Sequence, residues 1–110
     1  MPHFIIECSS KVYHEIVSQD LMNDVHQEVV ASELFDEANI KVRIRHYEDY
    51  LSAGKPGDFI HVIGYIMGGR TTEQKKMLGE RVHQKIKAFA SNVPAISVDI
   101  RDMDPQTYQK

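Results

Sequence analysis

One cysteine, Cys8, stands in the whole chain. A single thiol closes no internal disulfide, which excludes the stapled frameworks of small secreted domains and suits a reducing compartment. No apolar run approaches the ~20 residues that a membrane-crossing helix needs. The first residues carry neither the basic segment nor the long apolar segment of a secretory leader, so the expectation is a cytoplasmic protein with no membrane partner. Charge of neither sign prevails: 13 basic and 16 acidic residues leave a net −3, which gives no reason to expect nucleic acid. The six histidines are scattered, and none falls at metal-ligand spacing. The remaining composition, 42% hydrophobic and 26% charged, is that of an ordinary globular chain. Its 110 residues suit one domain, residues 1–110. A domain this short buries a modest share of its surface, so association with further copies would help it.

The apolar residues alternate between two periods. "HFIIECS" reads as a strand from His3 to Ser9, and the stretch from Ser10 to Ser18 is open between loop and helical lead-in. Ser18 is a candidate N-cap for a helix in which Leu21, Met22, Val25, Val29 and Val30 recur at helical spacing to about Ser32. "IKVRIRHY" alternates at period two, with Ile40, Val42 and Ile44 on one face and Lys41, Arg43 and Arg45 on the other. "SAGKPG" is a loop, and Phe59 to Ile66 is a β-branched apolar strand. "MGGRTTEQ" breaks that strand and opens a helix, with Thr71 and Gln74 at capping-box spacing and Leu78, Val82, Ile86 and Phe89 as its stripe. After Pro94, "AISVDIR" alternates again, and the tail beyond Pro105 is polar, loose or packed on a neighbour. The order is β-α-β twice. Phe4-Ile5 stands 55 positions before Phe59-Ile60, and Ile40 and Ile44 stand 56 before Ile96 and Ile100. A helix of about 15–20 residues in each half suits crossovers between parallel strands. The expected fold is α+β: a tandem β-α-β repeat forming a four-stranded mixed sheet with two helices on one face. Another copy of the chain is the natural cover for the other face.

Three features carry candidate chemistry. The first is Met1-Pro2, placed directly before a strand that would fix it. Removal of Met1 leaves a secondary amine at Pro2, and burial and nearby cations favour its neutral form. Such an amine can take a proton and return it elsewhere. With Met1 attached the nitrogen is an amide and cannot act as a base, and Met-Pro is otherwise simply a common start. The second is Arg70, after Gly68-Gly69 and before a capped helix. Glycines allow close backbone approach, a helix N-terminus favours anions, and arginine binds carboxylates with two prongs. A solvated turn is the bland alternative. The third is the row Lys41, Arg43 and Arg45, which requires either acidic partners such as Glu7 or Asp99, or an anionic substrate. His61 reads as a hydrogen-bonded histidine, Glu7 as a paired carboxylate, and Cys8 as a small buried hydrophobe.

Together these residues resemble the 5-carboxymethyl-2-hydroxymuconate Δ-isomerase family of the tautomerase superfamily. The likeness rests on "PHFIIECS" from Pro2, on "GDFIHV" with Asp58, Phe59 and His61, on "GGRT" with Arg70, and on "NIKVRIRHYEDY". It runs from Pro2 to about Ile100. The resemblance implies a homotrimer with sites near the subunit interfaces and an amino-terminal proline, here Pro2, acting as general base and acid. It implies arginines, Arg70 among them, that hold the carboxylates and polarise the oxo group of an unsaturated oxo-acid while a C=C bond moves through a dienol. It also implies no metal or organic cofactor, and a place in aromatic-acid catabolism, the breakdown of homoprotocatechuate and related compounds. The chain departs from the pattern at Lys41, where the family has arginine: lysine keeps the charge and loses the fork. Arg43 matches a neighbouring family arginine, and Arg45 is a further candidate substrate-binding cation. Two alternatives accompany this reading. One is a non-catalytic trimeric ligand-binding protein of the same fold, its site blocked by Tyr47 or Tyr65. The other is a dimeric ferredoxin-like ligand-binding protein.

Overall fold

The alternating stretches become four strands of one mixed sheet in the computed structural model of the chain, which describes residues 1–110: β1 (His3–Ser9), β2 (Lys41–Tyr47), β3 (Phe59–Met67) and β4 (Ala95–Met103). The helices are α1 (Ser10–Glu15), α2 (Ser18–Ala31) and α3 (Thr72–Phe89), and a 3-10 turn at Glu37–Asn39 leads into β2. The strand order is β2-β1-β3-β4. β1 and β2 run parallel, β3 and β4 run parallel, and β1 meets β3 antiparallel at the centre. Each β-α-β unit therefore keeps its two strands side by side. A ferredoxin-like sheet splits its units, so that alternative is excluded.

Period two decides what is buried. Phe4, Ile6 and Cys8 of β1 and Ile60, Val62 and Ile66 of β3 point to the helices and are fully buried. Leu21, Val25 and Val29 of α2 and Leu78, Val82 and Ile86 of α3 meet them from above, and Val12 of α1 joins the same core. Each such side chain contributes on the order of 1.5–3 kcal/mol by leaving water. Gly64 is a packing requirement: a Cβ there would lie 2.6 Å from Phe4 Cε1 and 2.9 Å from Ile100 Cδ1. Val42 and Ile44 pack against the core from β2, and Lys41, Arg43 and Arg45 stand exposed on the opposite face.

Several expectations change in detail. Residues Ser10–Glu15, open between loop and helix, form α1, and α2 spans 14 residues. Ser18 is the first helical residue rather than the cap: Val17 is the N-cap, and its carbonyl accepts from Asp20 and Leu21 N–H at 3.0 and 3.2 Å. The 55-residue offset between the halves fails, because Phe4 faces the core while Phe59 lies on the half-buried opposite face. An odd shift reverses every side chain. The even offset of 56 relates Phe4 to Ile60 and Ile6 to Val62, as it relates Val42 to Val98. The tail is not loose: Asp104 O accepts N–H bonds from Thr107 and Tyr108, and the Tyr108 hydroxyl reaches His3 of the same chain.

Candidate active site

Pro2 enters the sheet one residue before β1. It is buried, and its carbonyl accepts the Lys41 N–H at 3.0 Å, so the chain start is fixed by the same ladder that joins β1 to β2. At this end of the sheet a cleft of about 170 Å³ opens between Met1, Pro2, Leu34, Phe35, Met67 and Arg70. Neither Tyr47 nor Tyr65 lines it.

Arg70 reaches the cleft from the turn between β3 and α3. Gly69, with φ of 123°, takes a conformation that residues with a Cβ rarely adopt, and this turns the chain sharply before Arg70. The guanidinium is then held from the other half of the repeat. Its Nη2 donates to the Leu34 carbonyl at 2.5 Å, and its carbon lies 5.1 Å from the centre of the Phe35 ring. Its other N–H groups have no protein partner and are available to an anion. The α3 N-terminus is less available. Thr71 Oγ1 accepts from Gln74 N–H at 3.1 Å and Gln74 Oε1 accepts from Thr71 N–H at 2.9 Å, so the capping box is complete and satisfies its own donors.

Lys41, Arg43 and Arg45 lie on the open sheet face. Arg43 and Arg45 border a second cavity of about 340 Å³ with Ile5, Glu7, Ile63 and Tyr65. No carboxylate forms an ion pair with any of the three. Glu7 stands opposite Arg45 in register but accepts the Tyr47 hydroxyl at 2.6 Å, and Asp99 accepts from Arg101 at 2.7 Å. The acidic row that could have neutralised these cations is therefore engaged elsewhere. Within one chain the structure brings Pro2 and Arg70 together and leaves the β2 cations on a different surface.

His3 titrates below its ordinary value, first because of burial and then because of Arg43, the amino terminus and Lys41. His61 Nδ1 lies 2.6 Å from the Ser97 hydroxyl. Burial pushes the Cys8 thiol up to about 11. Three contacts escaped sequence reading: Leu34 and Phe35 on Arg70, and Tyr108 on His3. Arg70 lies 36 residues from Leu34, and Tyr108 lies 105 from His3, so no local pattern could announce them.

Known structures share this fold. A 5-carboxymethyl-2-hydroxymuconate isomerase from Deinococcus radiodurans R1 superposes with a TM-score of 0.88 at 19% identity, over 99% of this chain and 87% of that one. A fused 4-OT wild type symmetric trimer superposes at 0.80 with 18% identity, over 98% and 90%. The fold is thus tautomerase-like, two parallel β-α-β units in one sheet. The chain belongs to the 5-carboxymethyl-2-hydroxymuconate isomerase family, whose model matches residues 2–110. It is 30% identical over 112 residues to the 5-carboxymethyl-2-hydroxymuconate Delta-isomerase of Escherichia coli, spanning 96% of this chain and 89% of that protein. It is accordingly an isomerase, of the kind that moves C=C bonds.

Proposed function

We propose that the chain is a single tautomerase-like domain, cytoplasmic and homotrimeric, that isomerises an unsaturated oxo-carboxylic acid such as 5-carboxymethyl-2-hydroxymuconate without a cofactor. The observation that carries this reading is that Pro2 and Arg70, far apart in sequence, line one cleft. Once Met1 is removed, the Pro2 nitrogen is a secondary amine at a buried strand end, in one cleft with the Arg70 guanidinium. Burial and the neighbouring cations favour its neutral form. As general base it takes a proton from one carbon of the substrate, which becomes a dienolate with its charge on the oxo oxygen. As general acid it returns that proton to another carbon, so the double bond moves and nothing is consumed. Arg70, clamped by Leu34 and Phe35, offers its free N–H groups to the oxo or carboxylate oxygens, where negative charge develops. Lys41, Arg43 and Arg45 supply the carboxylate-binding charge. Their separation from the Pro2 cleft within one chain fits a site completed between neighbouring subunits of a trimer.

The test compares protein freed of Met1 with protein carrying one extra N-terminal residue. Isomerisation of 5-carboxymethyl-2-hydroxymuconate is followed by its ultraviolet absorbance. Free Pro2 is expected to support turnover. The extended chain is expected to melt at the same temperature and lose activity by a factor of at least ~10², the lower end for a general base. Turnover undiminished by the extension would overturn the proline mechanism.

A further inference from the structure

His3, the residue after Pro2, joins two parts of the chain that sequence separates. Its Nδ1 lies 3.2 Å from Arg43 Nη1, and its Nε2 lies 2.9 Å from the Tyr108 hydroxyl oxygen. A guanidinium only donates, so Nδ1 must accept. The imidazole is then neutral with its proton on Nε2, and Nε2–H donates to the Tyr108 oxygen. The two rings meet edge-on, with centres 6.2 Å apart and planes inclined at 60°.

Tyr108 is itself placed with care. Asp104 O accepts N–H bonds from Thr107 at 3.2 Å and Tyr108 at 3.0 Å, and Asp104 Oδ1 accepts from Gln106 N–H at 2.9 Å. These bonds fold the last residues into a turn. That turn is fastened to the segment before Arg70: Gly68 N–H donates to Met103 O at 3.0 Å, and a Cβ on Gly68 would lie 3.5 Å from Pro105 Cδ. The tail therefore runs from the Gly68-Gly69-Arg70 turn to His3.

We propose that Tyr108 is a positioning residue for catalysis: through His3 it holds the exposed Arg43 side chain in one orientation on the open sheet face, ready for a substrate carboxylate. This rests on the reading of Arg43 as a carboxylate binder. An unheld arginine on a surface strand samples many rotamers, and the freedom lost on binding weakens affinity. The His3 acceptor removes much of that freedom beforehand. Tyr108 in turn fixes the His3 tautomer, because an oxygen at Nε2 favours the proton there and leaves Nδ1 free to accept. Phenylalanine at this position would keep the ring contact and lose the acceptor.

The test uses the full chain freed of Met1, with Tyr108→Phe, Arg43→Ala and the double variant assayed on 5-carboxymethyl-2-hydroxymuconate. Loss of one neutral hydrogen bond predicts a rise in KM of roughly fivefold for Tyr108→Phe, with kcat changed less than about twofold. Arg43→Ala is expected to raise KM further. The double variant is expected to match Arg43→Ala alone, since Tyr108 acts only through Arg43. Nitrogen-15 shifts of His3 are expected to show the Nε2-protonated tautomer at neutral pH in the parent protein. An unchanged KM in Tyr108→Phe beside a raised one in Arg43→Ala overturns the inference and spares the carboxylate reading. So do additive effects in the double variant, or an Nδ1-protonated His3. An unchanged KM in Arg43→Ala overturns the carboxylate reading and the inference with it.

Discussion

Cys8 shows how one position can be chemically silent and structurally demanding. Its thiol lies in the core, fully buried, and burial pushes it up to about 11. The thiolate is the reactive form, so at neutral pH the group is both hidden and protonated. A disulfide reagent such as DTNB is expected to leave native protein unlabelled and to titrate one thiol after denaturation. Fast labelling of the folded protein would contradict this packing. Arg70 shows the reverse. Its chemistry was visible from the glycines before it, but its aim depends on a carbonyl and a ring from the other half of the chain. Lys41 combines two roles: its backbone N–H fixes Pro2, whatever its side chain does on the open face.

Among the elements, the two long helices begin differently. α3 opens on a complete capping box, with Thr71 and Gln74 each satisfying the other's backbone N–H. α2 opens on Val17, whose side chain supplies no hydrogen bond, and depends on the packing of Leu21, Val25 and Val29. Thr71→Ala is expected to cost about 1 kcal/mol, read as a lower denaturant midpoint with unchanged slope at equal protein concentration. Its position beside Arg70 makes this cap a support of the cleft as well as of the helix. The capping box was legible because its partners are three residues apart. The failure of Ser18 as a cap was not, because the chain path through Ile16 and Val17 sets where the first helical carbonyl points.

At the scale of the whole molecule, the sheet has a covered face and an open one. Ile5, Ile63 and Tyr65 are half-buried on the open face beside three cations without ion pairs. A small domain gains from covering such a surface. The proposed homotrimer does so and could bring the β2 cations of one copy toward the Pro2 cleft of another. Sedimentation equilibrium is expected to give about 38 kDa, three times the 12.6 kDa chain. A stable monomer would leave the cleft and the cations on separate surfaces and would defeat the shared-site proposal.

Local periodicity determined most of the fold: the strands, the two long helices, the side of each that turns inward, and the β-α-β repeat. These follow from contacts between near neighbours and from burial of every second or every third to fourth residue. Period two also exposed the cation row, while Pro2 and Arg70 became candidates through their neighbours, Met1 before a strand and Gly68-Gly69 before a capped helix. Tertiary structure decided what periodicity leaves free. It set the even offset between the halves, because strand pairing fixes which face each residue shares. It chose Leu34 and Phe35 to aim Arg70, and it returned Tyr108 to His3 across 105 residues. Such contacts depend on how whole elements meet in space, and no spacing along the chain encodes them.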